Sequence, residues 1–258
     1  MPDLVIARYN EDVSWLVNVP DDFNIFLYNK GDELDISNIR SKLKGYFRIQ
    51  NIGRESDTYL LHIIHNMGKT DSFTVFSQGD PFEHSPDFLR LLTHRFADDA
   101  WGYSSQWKQG FPPAHLIETH IARTGQPTRN EIFSLYNWGP IYSFDEGAFL
   151  ISRLYFSFYG VENGTNIAAD FFGRIGYEAA RHKAAQATLG EFPYAAIFGV
   201  RNSVVSHISN DIFLRALHEV RTNQMAGHIM ERLWLHFFGR PFISIGTDAS
   251  PRRLPQTF

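Results

Sequence analysis

The sequence predicts an α/β protein, a mostly parallel sheet covered by helices, and three observations carry that expectation. Short apolar runs of strand length stop abruptly in clusters of charged and amide side chains, first in VIARYNEDVSWL and again in TVFSQGDPFEH at Thr74–His84. Between such runs the apolar period changes from two to the helical one. Strand and helix then alternate through the first hundred residues.

Leu4–Ala7 is the first apolar run, and Phe23–Tyr28 the second, entered through Val19-Pro20-Asp21-Asp22 and left at Asn29-Lys30-Gly31. Asp12–Val17 between them fits a short helix with Trp15 and Leu16 turned inward. Tyr46–Ile49 reads as a third strand. Tyr59, Leu60, Ile63 and Ile64 then share one helical face, with Ser56 or Asp57 as cap and Gly68 as stop. Phe73–Phe76 is the next strand. From Trp101 to Tyr142 the chain loses periodicity and reads as long loops punctuated by Phe111-Pro112-Pro113 and Gly125-Gln126-Pro127. Asn163–Gln186 is alanine-rich helical material interrupted by Gly173 and Gly176. Ala195–Val200 is strand-like. Ile212, Phe213, Ala216, Leu217 and Val220 form a helical stripe capped by Ser209 or Asn210, and Ile229, Leu233 and Phe237 form another ending at Gly239. One domain over residues 1–240 and a loose polar tail over 241–258 are expected.

Composition narrows the function. At 258 residues the chain can bury one sizeable core, and its 15% aromatic content, with 23 Phe, points to a core of large rings. A formal charge of −4 argues against a nucleic-acid surface but leaves room for an anionic small ligand held by local arginines. Without cysteine there is neither a disulfide nor a thiolate metal site. No stretch reaches the ~18 apolar residues of a membrane span, and the acidic, unflanked N-terminus does not resemble a signal peptide. A cytoplasmic protein is expected.

In open α/β sheets ligands bind outside the carboxyl ends of strands, so the polar clusters there are the candidate sites. Gln78-Gly79-Asp80 puts an acid behind a glycine that bares the backbone, with Glu83 and His84 on the same loop. Asp80 either ligates a divalent cation or caps the turn before Pro81. Asn51-Ile52-Gly53-Arg54-Glu55-Ser56 opens a helix with a glycine turn: an anion site with a guanidinium fork, or a plain helix start with a surface pair. Arg8-Tyr9-Asn10-Glu11-Asp12 can stack on a base and contact a diphosphate, or be a solvated loop in which Asp12 caps the next turn. Glu231, among Ile229, Leu233 and Trp234, is a general base if partly buried, or one half of an outer Glu231–Arg232 pair. His62 and His65 read as helix surface. His115 and His120 flank Glu118, but HLIETH is not the H-E-x-x-H of zinc sites.

VIARYNEDVSWL, YNKG at Tyr28–Gly31, NIGRESDTYLLHII, VFSQGDPFEH, GVRNSVVSHISNDIFLRAL and GHIMERLWLHFFG, in this order, resemble a family of unknown function found in fungi, bacteria and large viruses. The resemblance covers Leu4–Gly239. The same arrangement is similar to GT-A-type glycosyltransferases, which implies a Rossmann-like fold and a nucleoside-diphosphate sugar as donor for a glycan hydroxyl. By that resemblance Arg8, Tyr9, Asn10, Asp12, Asn29, Lys30, Gly53, Arg54, Glu55, Gln78 and Gly79 bind the donor. Asp80 and His84 hold Mn²⁺ or Mg²⁺, and Glu231 with Asp80 is catalytic, with inversion. Gln78 departs from the pattern, standing where an Asp-x-Asp motif has its first acid, which weakens the case for a metal. Trp101, Trp107, Tyr136 and Trp138 are acceptor-stacking candidates or core rings. Two alternatives are a metal-assisted hydrolase using Asp80, His84 and Glu118, and a non-catalytic carbohydrate-binding module.

Overall fold

The computed structural model describes residues 1–66, 72–94, 96–103, 130–143 and 145–243. Gly68, Trp107, His115, Glu118, His120 and the segment 244–258 lie outside them. Strands β1 (Asp3–Arg8), β2 (Asn24–Asn29), β3 (Leu43–Arg48), β4 (Phe73–Gln78), β5 (Ala100–Gly102), β6 (Glu131–Ser134), β7 (Leu189–Phe192) and β8 (Phe198–Arg201) form two sheets. The larger has the order β3-β2-β1-β4-β8-β5, and the smaller pairs β6 with β7. The ladders joining β3, β2, β1 and β4 are parallel. Those that bring in β8 and β5 are antiparallel. The protein is thus mixed α/β with a mostly parallel central sheet, compatible with a Rossmann-like fold.

The register explains the polar clusters. Arg8 pairs with Asn29 across β1 and β2, and Ala7 with Gln78 across β1 and β4, so the polar ends of these strands reach one edge together. Alternate side chains feed opposite cores: Val5, Ala7 and Phe76 enter one cluster, Leu4, Ile6 and Val75 the other. Both faces are covered, which is why the runs read as continuously apolar.

Helices α1 (Arg54–Asn66), α2 (Phe88–Leu92), α3 (Glu146–Tyr159), α4 (Ile167–Arg174), α5 (Glu178–Ala185), α6 (Asn202–Ser206), α7 (Asn210–Thr222) and α8 (Gln224–Phe237) flank the sheets. None is long and apolar enough to cross a membrane among the described residues. The helix α1 starts before its expected caps. Gly53 takes a left-handed φ of 64°, and a Cβ there would meet Val220 Cγ1 at 2.3 Å, so α7 seats directly on the turn. Ser56 and Asp57 therefore fall inside the first turn, where Ser56 Oγ donates to the Gly227 carbonyl and Asp57 Oδ1 accepts from Arg221 Nε at 2.5 Å. Ser209 caps α7 as expected, accepting from the Asp211 N–H.

Other expectations are corrected. Asp12–Val17 is a 3-10 turn at Ser14–Asn18. Strand β3 begins three residues before Tyr46. Gly173 sits within α4, and only Gly176 of the two glycines falls in the break at 175–177 before α5. Ala195 and Ala196 have positive φ, which postpones β8 to Phe198. The stretch read as long loops contains β5 and β6, where Trp101 and Trp138 are buried core rings. Past Arg240, Ile243 pairs with Leu189 and Phe242 stacks on His236.

Candidate functional site

At the end of β1, Arg8 is buried and turned to the backbone: Nε donates to the Glu11 carbonyl at 2.9 Å, and Nη1 to the Tyr9 carbonyl at 3.0 Å and to Asn29 Oδ1 at 2.7 Å. At the end of β2, Asn29 Nδ2 donates to the Asp32 carbonyl at 2.8 Å, while Oδ1 also accepts the Gly31 N–H. Gly31 is required here, because a Cβ would sit 1.7 Å from the Tyr9 carbonyl oxygen. Lys30 Nζ donates to the carbonyls of Ile52 and Arg54, stitching β2 to the start of α1. Burial lowers its pKa, opposed by Asp57 at 3.7 Å. Arg8, Asn29 and Lys30 thus fix the loops, while Tyr9 stands 51% exposed above them.

Two adjoining cavities open at this edge. The smaller, about 300 Å³, is lined by Arg8, Tyr9, Glu11, Lys30 and Glu55 among others. The larger, about 370 Å³, is lined by His84, Asp145, Tyr194, His228, Glu231 and Arg232 among others. Arg54 and Gln78 line both. Residues from the opening segment, the β4 end and α8, far apart in sequence, therefore meet in one cleft. Arg54 and Ala195, both on the larger cavity, hold φ of 55° and 59°, the kind of backbone strain that clusters at sites.

Several expected site residues stand elsewhere. Asp12 accepts the Ser14 N–H and hydroxyl, each at 2.8 Å, and those bonds hold its carboxyl below the usual range. Asn10 Oδ1 accepts the Asp32 N–H. Gly79 gives its carbonyl to Trp15 Nε1 and its open α-carbon to Glu11, whose Oε2 a Cβ would meet at 2.6 Å. Gly53 shapes the turn. Asp80 is exposed, accepts the Phe82 N–H at 3.0 Å, and lines neither cavity. His84 does line the larger one, its ring edge-on to Tyr194 and its Nε2 3.8 Å from Glu83. No group of three His, Asp or Glu side chains suited to a metal ion occurs among the described residues. Asp80 and His84 thus belong to no such group, and only His84 lines a cavity.

The chemistry concentrates on α8. Glu231 is paired with Arg232, but the pair is buried and faces the cleft rather than the outer surface: Arg232 Nη1 donates to Glu231 Oε2 at 2.5 Å and to the His228 carbonyl at 3.0 Å. The other arm, Nη2, donates to Asp145 Oδ1, which also caps α3 by accepting the Ala148 N–H at 2.6 Å. Burial raises the Glu231 pKa to about 7; Arg232 pulls it back, and Glu55 and Asp145 add to the rise. Burial, then Arg54 and Arg232, lowers His228 to about 4 and keeps it neutral. A carboxyl that exchanges its proton near neutrality is suited to general base work. Asp145, His228 and Arg232 were missed as site residues; Asp145 ahead of Glu146-Gly147-Ala148 carries a helix-cap signature that would have found one of them.

No family model matches the chain, and neither a curated protein nor a solved structure matches it.

Proposed function

We propose that the cleft binds a nucleoside-diphosphate sugar and transfers its sugar to an acceptor hydroxyl, as the resemblance to GT-A-type glycosyltransferases implies. The observation that carries this reading is that Arg54 and Gln78 line both cavities, joining a nucleotide-sized compartment to the one that holds Glu231. The strand order places the topological switch between β1 and β4, where open sheets bind ligands. The exposed Tyr9 ring offers a stacking face for a base. Arg54, its side chain half exposed at the head of the 13-residue helix α1, faces the diphosphate with a guanidinium and a positive helix end.

Glu231 takes the acceptor hydroxyl proton as that oxygen attacks the anomeric carbon. The bond from that carbon to the diphosphate oxygen breaks, and the electron pair leaves with the diphosphate, whose added charge Arg54 balances. A single displacement inverts the anomeric centre. No step is assigned to a metal, and Asp80, which lines neither cavity, is given no role in the transfer.

The test pairs binding with turnover. UDP or GDP is expected to raise the melting temperature without Mn²⁺, and Glu231→Gln to bind nucleotide like the parent while transfer falls at least 100-fold. No response to any nucleoside diphosphate, with or without Mn²⁺, would overturn the reading.

A further inference from the structure

We propose that Asp145 is a positioning residue for Glu231: by holding one arm of the Arg232 guanidinium, it keeps that cation from being committed to Glu231 alone, and so keeps Glu231 basic enough to accept a proton. This rests on the base role proposed above, and the geometry behind it is specific. Arg232 is 1% exposed and lies between two carboxylates, with Nη1 on Glu231 Oε2 and Nη2 on Asp145 Oδ1. A guanidinium facing one carboxylate would draw its charge fully onto that partner and hold it ionised. Facing two, it is shared.

The remaining charged and titratable neighbours do not substitute for Asp145. From α1, Arg54 stabilises the ionised form of Glu231, whereas Glu55 opposes it, and Tyr59 lies nearby with its hydroxyl bonded to the Ala196 carbonyl. From α8, His228 is held neutral. Glu146 and His84 line the same cavity from α3 and the β4 loop. Among the carboxylates that oppose Glu231, Asp145 is the one that shares the guanidinium. Its Oδ1 also receives the Ala148 N–H, so the start of α3 and the charge on Glu231 depend on one oxygen.

Asparagine separates the two duties, since it caps a helix about as well as aspartate but carries no charge. The readout is the pH dependence of unfolding free energy, taken as the difference between each background and its Glu231→Gln partner, from pH 4 to 9. That difference isolates the Glu231 proton without needing turnover. In Asp145→Asn the titration midpoint is expected to move toward acid by about one pH unit or more relative to the parent. Asp145→Ser, a neutral cap of a different shape, is expected to move it the same way and serves if Asp145→Asn does not fold. Equal midpoints in parent and variants would reduce Asp145 to a helix cap and overturn the proposal. A parent difference that is flat with pH would overturn it as well. Absence of nucleotide binding would instead strike the transferase reading and leave this titration result standing.

Discussion

Helix α8 carries two buried charged clusters about one turn apart, and they are completed differently. At its C-terminal end His236 Nε2 accepts the Glu191 N–H at 2.8 Å, and its Nδ1–H donates to the Arg240 carbonyl at 2.8 Å. Glu191 receives Arg240 Nε on one oxygen and Asn130 Nδ2 on the other, and Arg240 Nη1 reaches Asp98. Glu191 is wholly buried and bonded through both carboxylate oxygens, and the cluster locks β7 to α8. One turn earlier, Arg232 Nε has no partner among the described residues and Glu231 lines a cavity. The same ingredients make a fastening where both carboxylate oxygens are bonded, and an open cluster where one side faces a cavity.

The largest expected effect comes from removing the cation of each cluster. Arg240→Leu strands a fully buried carboxylate and is expected to cost roughly 3–5 kcal/mol in urea or thermal unfolding. Arg232→Leu leaves two carboxylates beside the cavity, where Glu231 can take up a proton, so about 1–3 kcal/mol is expected at pH 7. That deficit shrinks as pH falls and Glu231 protonates. Equal costs with equal pH dependence would remove the distinction between the clusters.

Acid sharpens the contrast, because the two clusters titrate in opposite senses. Burial lowers His236 to about 4, below its unfolded value of about 6.5. Its stabilising contribution is therefore complete above pH 6.5 and is lost as pH falls through 4. Glu231 is raised to about 7, so its contribution is complete below about 4.5 and is lost as pH rises through 7. Stability curves of His236→Gln and Glu231→Gln are expected to diverge from the parent with slopes of opposite sign.

The smallest effects concern exposed charges. Arg54→Met and Asp80→Asn are each expected to change stability by less than about 0.5 kcal/mol. Arg54→Met should nevertheless weaken nucleotide binding roughly 10-fold or more in calorimetry, consistent with a lost charge-assisted contact, whereas Asp80→Asn should leave it unchanged. A strong loss in Asp80→Asn would return Asp80 to the binding machinery.

Much of this arrangement was legible in the chain. β1, β2 and β4 announce themselves because both faces are covered and their ends are polar, and Ser209 and Gly239 mark helix ends by local chemistry. Helix α3 was hidden because its outer face carries Phe149, Leu150, Leu154 and Phe158, all exposed, which erases the polar stripe that reveals an amphipathic helix. Ala195 gives no sign of its left-handed backbone, and β5, at three residues, is too short to show a period. The cavity-lining positions of Tyr9, Arg54, Glu55, Gln78, His84 and Glu231 were readable from the sequence. The roles of Arg8, Lys30 and Asn29 were not, because a polar residue at a strand end looks the same whether it faces a ligand or a neighbouring carbonyl.

Arg8 and Lys30 also bear on how the cleft receives a molecule. Arg8 Nε and Nη1 and Lys30 Nζ donate to main-chain oxygens of neighbouring loops, which holds the rim within the fold itself. Under the proposed function, an incoming donor would meet a rim already held in place, and little of its affinity would go into ordering that rim.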